Sequence, residues 1–254
     1  MVNASQSTLG AQSLRRALQI LRVLGENHDD GLTATQVKEL TGLERSTAHR
    51  MLSCLAEESF AERDAITLRY RLGLGAMRLG FASFRRAPLV SAYQSTVRRI
   101  ARLSEDTVFL MVRQGDFSVC MLREDGAYPV KIFSTHLGDV RPLGIGVGGM
   151  ALLSSASDKD VVRIRQQHAS AFEAAGLVPS QLGRVIARTR RNGYAEMSDT
   201  VTEGVVGVGA TIPDVGQPYA AIAIAAIKPR MTAARRAELG EMLVRELAQV
   251  GAGR

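Results

Sequence analysis

The stretch Leu43–Ser53, LERSTAHRMLS, carries two arginines, one histidine and three hydroxyl side chains on an apolar background. Wound as a helix, it places Ala48, Met51, Leu52 and Leu55 at i, i+3, i+4 and i+7, which predicts one buried stripe. Arg45, Ser46, His49, Arg50 and Ser53 then share the opposite side, with Arg45 above His49 and Ser46 above Arg50. Such a face suits a solvated helix, a catalytic cluster or a surface built to meet a partner. Its neighbours decide between them.

Upstream, LTATQVKELTG (32–42) predicts a short helix with Thr33 as its N-cap and Gly42 in a tight turn. Before that, SLRRALQILRVLGEN (13–27) spaces Leu14, Ala17, Leu18, Leu21 and Leu24 as an amphipathic helix. Downstream, FAERDAITLRYRLG (60–73) alternates apolar and polar residues around Asp64-Ala65 and predicts a hairpin. Helix, glycine turn, helix and basic hairpin make the layout of a winged helix-turn-helix. In that layout the second helix lies in the major groove of double-stranded DNA. Arg45 and Arg50 can pair bidentately with guanine there, and Ser46, Thr47 and His49 reach base edges or phosphates. Arg69 and Arg71 bring positive charge to the wing, where it would cross the phosphate backbone. Thr33 and Thr35 head the preceding helix, whose free N–H groups suit a phosphate.

The composition agrees without proving the point. Of 254 residues, 32 are Lys or Arg and 25 Asp or Glu, a modest basic surplus that weakly favours a polyanionic partner. Only Lys38, Lys131, Lys159 and Lys228 are lysines, so arginine supplies most of the positive charge. The two cysteines, Cys54 and Cys120, lie far apart, which argues against a disulfide scaffold and fits a reducing cytoplasm. The opening MVNASQSTLGAQS lacks the charge and apolar run of a signal peptide. No apolar stretch approaches the roughly 20 residues that span a bilayer. The expectation is a cytoplasmic protein with no membrane partner.

Beyond the hairpin, LGAMRLGFASFRRAP (74–88) predicts a connecting helix and LVSAYQSTVRRIARLSE (89–105) another, with a boundary at Pro88. Strands follow in TVFLMVRQ, FSVCMLRE and YPVKIFSTH, then a glycine-rich loop, LGIGVGGMALL, that opens into a helix. Helical text runs from Asp158 to Asn192. GVVGVGATIPD and YAAIAIAAIK form two more strands across VGQP, and TAARRAELGEMLVRELAQV closes the chain as a helix. The predicted class is α+β: a DNA-binding domain over 10–72, a linker helix over 73–87, and an antiparallel sheet covered by helices over 88–254.

Competing chemistry finds little footing. GIGVGG (144–149) fits G-x-G-x-x-G, but it follows DVRPL rather than a parallel strand, and Asp158 and Asp160 start a helix. The loop reads better as close backbone packing, or as N–H groups gathered for a small carboxylate. There is no G-x-S-x-G motif. His28, His49, His136 and His168 are scattered without metal-ligand spacing, and Cys120 alternates inward on a strand, so no catalytic residue, cofactor or metal is expected.

At this point the chain resembles the IclR family of bacterial transcriptional regulators. The resemblance rests on SLRRALQILRVL, ELTGLERSTAHRMLSCL and RYRLGLGAMRLG in the first domain. It continues through RPLGIGVGGMALL, RNGYAEMSDTVTEGVVGVGATIPD and AAIAIAAI in the second. One departure is Lys38, where the family usually has a small residue. The resemblance implies a GAF/PAS-like effector-binding domain and a homodimer or homotetramer, most simply a repressor. It places a pocket on Gly146, Val147, Gly148, Gly149, Met197, Gly207, Ala223 and Ala225. Family members that sense small keto acids tend to have polar side chains at several of the last positions. Methionine, glycine and alanine there imply a bulkier, partly apolar ligand such as an aromatic acid, with polarity coming mainly from the backbone. The alternative is an enzyme acting on a small organic molecule with an accessory DNA-binding domain.

Overall fold

A computed structural model describes residues 11–85, 88–213 and 219–252. The chain divides into two compact units, Met1–Ala87 and Pro88–Arg254.

The first unit is built from α1 (Gln12–Glu26), α2 (Ala34–Thr41), α3 (Arg45–Glu57), β1 (Ala61–Arg63), β2 (Tyr70–Leu72) and α4 (Leu74–Arg85). Thr33 begins α2 with a full capping box: its hydroxyl accepts from the Gln36 amide at 3.3 Å, and the Gln36 side chain accepts from the Thr33 amide at 3.0 Å. Gly42 ends α2 at φ 67°, the left-handed turn a glycine takes without penalty, and the chain reverses into α3. The core gathers Ile20, Leu24, Val37, Ala48, Leu52 and Leu55 from the three helices, with Met51 packed at its edge.

Two local expectations change. Leu14 and Leu18 are 61% and 42% exposed, and Ile20 takes their place in the core beside Leu24. The buried face of α1 is the one pinned to α2, where Gln19 Nε2 donates to the Thr41 carbonyl at 3.2 Å. The hairpin connection spans Asp64–Arg69 rather than two residues: the Asp64 carboxylate accepts from the Ile66 and Thr67 amides and holds an Asx turn. Lys38 is exposed, so the departure there leaves the packing intact.

In the second unit α5 (Pro88–Ser104) leads into a six-stranded antiparallel sheet of order β5-β4-β3-β8-β7-β6. The strands are β3 (Thr107–Gln114), β4 (Phe117–Glu124), β5 (Val140–Pro142), β6 (Ala195–Ser198), β7 (Val205–Thr211) and β8 (Ala220–Ile227). Phe109 and Met111 on β3 and Ala221, Ala223 and Ala225 on β8 share one core with α6 (Val147–Ser154). The alternate residues Val108, Leu110, Ile222 and Ile224 are equally buried and point to the other face, toward α5 and α10 (Ala233–Ala252). Helices α7 (Asp158–Gln167), α8 (Ala169–Ala174) and α9 (Pro179–Asn192) complete the layer over α6. At the root of the sheet the buried Asp106 carboxylate accepts from Arg230 Nε at 2.5 Å and Arg235 Nη2 at 2.9 Å, tying the start of β3 to the chain just before and within α10.

YPVKIFSTH is not a strand. Pro129 has no N–H for a ladder, Lys131 Nζ caps the Gly126 and Tyr128 carbonyls, and the Ile132 amide donates to Thr107 Oγ1. The segment therefore runs as a loop, and Val140–Pro142 pairs with β4 instead. The turn VGQP lies outside the described residues. All strand pairs are antiparallel, so the G-x-G-x-x-G match has no Rossmann setting.

Candidate nucleic-acid interface and ligand cavity

The outer face of α3 is free. Arg45, Ser46, His49 and Arg50 are exposed, and the side chains of Arg45, His49 and Arg50 have no hydrogen-bond or ion-pair partner among the described residues. Thr47 is half-buried and Thr35 is exposed at the first turn of α2. Four polar side chains on one helix, with no intramolecular partner among the described residues, leave an open polar face.

The wing is different. Arg69 Nη1 donates to the Gly31 carbonyl at 2.8 Å, and Arg71 donates from Nε to His28 and from Nη2 to Asp29 and Asp30 carbonyls. Both arginines clasp the turn between α1 and α2, while Leu32 and Tyr70 exchange backbone hydrogen bonds beneath them. Thr33 is likewise engaged within its cap. The exposed cation on the hairpin is Arg63, over the Tyr70 ring at 5.6 Å, a residue the sequence reading passed over; it shares strand parity with buried Ala61, so alternation alone gives no outward signal.

In the second unit a cavity with an open mouth lies between the sheet and the head of α6. All eight residues implied by the family resemblance line it: Gly146, Val147, Gly148 and Gly149 from α6 and its N-cap, Met197 from β6, Gly207 from β7, and Ala223 and Ala225 from β8. The glycines let backbone meet sheet. A Cβ on Gly207 would sit 2.7 Å from Val147 Cγ1, and one on Gly148 would sit 2.5 Å from Met111 Cγ. The helix is buried along its length, has no side-chain cap, and leaves the Val147, Gly148 and Gly149 amides without an acceptor among the described residues.

Sequence reasoning missed the rest of the wall. Phe109, Met111, Ile132 and Val205 extend its apolar part. Ser134, Thr135, Thr200, Thr202 and Arg141 add polar side chains, so the expectation that polarity comes mainly from the backbone is corrected. The loop that replaced the third predicted strand carries Ile132, Ser134 and Thr135 into the cavity, which a strand pattern could not have indicated. The turn bearing Thr200 and Thr202 is held by Asp199, whose carboxylate accepts from Lys228 Nζ at 2.6 Å, Gly204 N at 2.7 Å and Ser198 Oγ at 2.7 Å. Those bonds, led by Lys228, hold the Asp199 carboxyl at about 2.

Cys120 belongs to the core behind the cavity, and burial pushes its thiol up to about 12, which disarms it as a nucleophile. Asp158 and Asp160 serve the start of α7: Ser157 caps it, Asp160 pairs with Arg163, and Asp158 reaches Arg190 at 2.7 Å. No group of His, Cys, Asp or Glu among the described residues is arranged to hold a metal, and no described helix is long and apolar enough to cross a membrane.

Comparison with known proteins joins the two sites. Residues 13–65 match the IclR helix-turn-helix domain, and residues 81–250 match the bacterial transcriptional regulator IclR C-terminal domain. The HTH-type transcriptional regulator BhcR of Paracoccus denitrificans is 28% identical over 247 residues, covering 96% of this chain and 88% of BhcR. The transcriptional repressor IclR of Escherichia coli is 25% identical over 253 residues, covering 98% of this chain and 92% of that protein. Among solved structures, an IclR homologue from Microbacterium hydrocarbonoxydans complexed with 4-hydroxybenzoate shares the fold at TM-score 0.74 and 19% identity, over 94% of this chain and 98% of its own. With both family domains matched in order along one chain, this protein belongs to the IclR family of bacterial transcriptional regulators.

Proposed function

We propose that this regulator is a repressor of a catabolic operon whose operator binding is modulated by a small organic acid, one with an aromatic body. In this reading residues 10–72 read DNA through Arg45, Ser46, Thr47, His49 and Arg50, with Thr35 at the phosphates. Arg69 and Arg71 shape the wing and lend it charge. Residues 73–87 link to an effector-binding and oligomerising part over 88–254, and the protein works in the cytoplasm as a homodimer or homotetramer, since a palindromic operator needs two reading heads. The observation that carries the reading is the unpartnered polar face of α3. The apolar breadth of the cavity supports the aromatic ligand, as does the homologue bound to 4-hydroxybenzoate. Effector binding biases the geometry of the paired reading heads and so changes operator affinity.

A gel shift with the intergenic DNA upstream of the gene tests the first half; absence of a salt-sensitive shift overturns it. Calorimetry of aromatic against short aliphatic acids tests the second. Tight binding of glyoxylate or pyruvate, with no aromatic acid bound, overturns the aromatic assignment.

A further inference from the structure

We propose that Arg141 selects the charge of the ligand, holding the carboxylate of an organic acid whose body rests on the apolar wall of the cavity. The inference rests on the reading of this cavity as an organic-acid site. Arg141 is the one charged residue in the cavity lining among the described residues; the rest of the lining is apolar side chains, glycines and the hydroxyls of Ser134, Thr135, Thr200 and Thr202. Its ion-pair partner Asp139 lies outside that lining, so within the wall the guanidinium favours an anion and disfavours a neutral analogue of the same shape.

Its position is fixed from the backbone. Arg141 sits on the edge strand β5 opposite Ser118, and the Ser118 hydroxyl donates to the Arg141 carbonyl at 3.4 Å. The side chain is 22% exposed, so its charge is only partly screened by water. The guanidinium is incompletely satisfied. Nη2 donates to the Ser134 carbonyl at 2.9 Å and to Asp139 Oδ2 at 3.0 Å, and Nη1 donates to Thr135 Oγ1 at 3.3 Å. Nε–H and the second Nη1–H have no acceptor among the described residues. The two lie on different edges of the guanidinium, and each offers a carboxylate oxygen one charge-assisted hydrogen bond. Asp139 is the resident competitor. It also accepts from the His136 amide, so it holds the rim loop whether or not a ligand is present.

The experiment measures affinity by calorimetry for matched pairs, benzoate with benzamide and hexanoate with hexanamide, on the full chain. The wild type, Arg141→Gln, Arg141→Lys and Asp139→Asn are compared, with thermal unfolding confirming that each is folded. The wild type should prefer a carboxylate to its amide by about tenfold or more. Arg141→Gln should erase that preference while leaving the amide's affinity within about twofold, Arg141→Lys should restore part of it, and Asp139→Asn should tighten carboxylate binding. If the wild type binds amides as well as acids, or Arg141→Gln keeps the preference, the inference is wrong and the α6 amides read the charge instead. If the wild type binds none of the acids, the organic-acid reading falls and this inference with it. The first failures leave that reading standing; the last does not.

Discussion

Single side chains in this protein divide between those that meet the outside and those that hold the frame. Arg45 and Arg50 belong to the first group. Arg69 and Arg71, equally basic, belong to the second, because each is bonded to carbonyls of the turn at residues 28–31. Arg69→Ala should therefore cost about 1–3 kcal/mol of stability by orphaning a partly buried carbonyl, read as a lower urea midpoint. An unchanged midpoint would return Arg69 to the phosphates. The two thiols differ in the same way: Cys54 is exposed and Cys120 buried, so an aromatic disulfide reagent should titrate one thiol in the native protein and two in denaturant. Asp199 supplies a pH signature. Its carboxyl is held at about 2 against an ordinary 3.8, so its stabilising bonds are fully present above about pH 4 and are lost as pH falls toward 2. Wild type should lose more stability across that interval than Asp199→Asn; parallel curves would contradict the assignment.

At the scale of elements, most of the fold was legible because period is a strong signal. The stripe Ala48, Leu52 and Leu55 is buried as its spacing required, and the strands at 107–114 and 117–124 lie where the sequence reading set them. The failures have physical reasons. Leu14 and Leu18 satisfy a helical stripe as well as Ile20 does, and only the contact with α2 decides which face turns inward. Residues 128–136 look β-prone, yet a proline, a capping lysine and the Thr107 hydroxyl satisfy the backbone without a ladder. That loop completes the cavity, which is why Ser134 and Thr135 escaped the sequence; Arg141 escaped with them because its short edge strand β5 was not anticipated. The glycines were placed by the family resemblance, and the structure supplies the physical reason, the close approach of α6 to the sheet at Gly148 and Gly207. Gly207→Ala would drive a methyl to 2.7 Å from Val147 Cγ1 and should destabilise the second unit by about 1–3 kcal/mol. An unshifted calorimetric transition would mean that α6 can retreat from the sheet.

The molecule as a whole joins a first unit with its own small core to a second unit whose sheet is buried on both faces. That division lets each site be tested in the intact chain with the other as a control. Substitutions on the outer face of α3 should leave ligand binding untouched, and substitutions at Arg141 should leave operator binding without ligand untouched. The central claim is that α3 reads DNA through side chains with no other partner. Its most direct test is the operator affinity of Arg45→Ala and Arg50→Ala, measured by fluorescence anisotropy at fixed salt on folded protein. Each should weaken binding by about 1–3 kcal/mol, roughly 5- to 150-fold in Kd. Wild-type affinity in both variants would contradict the account.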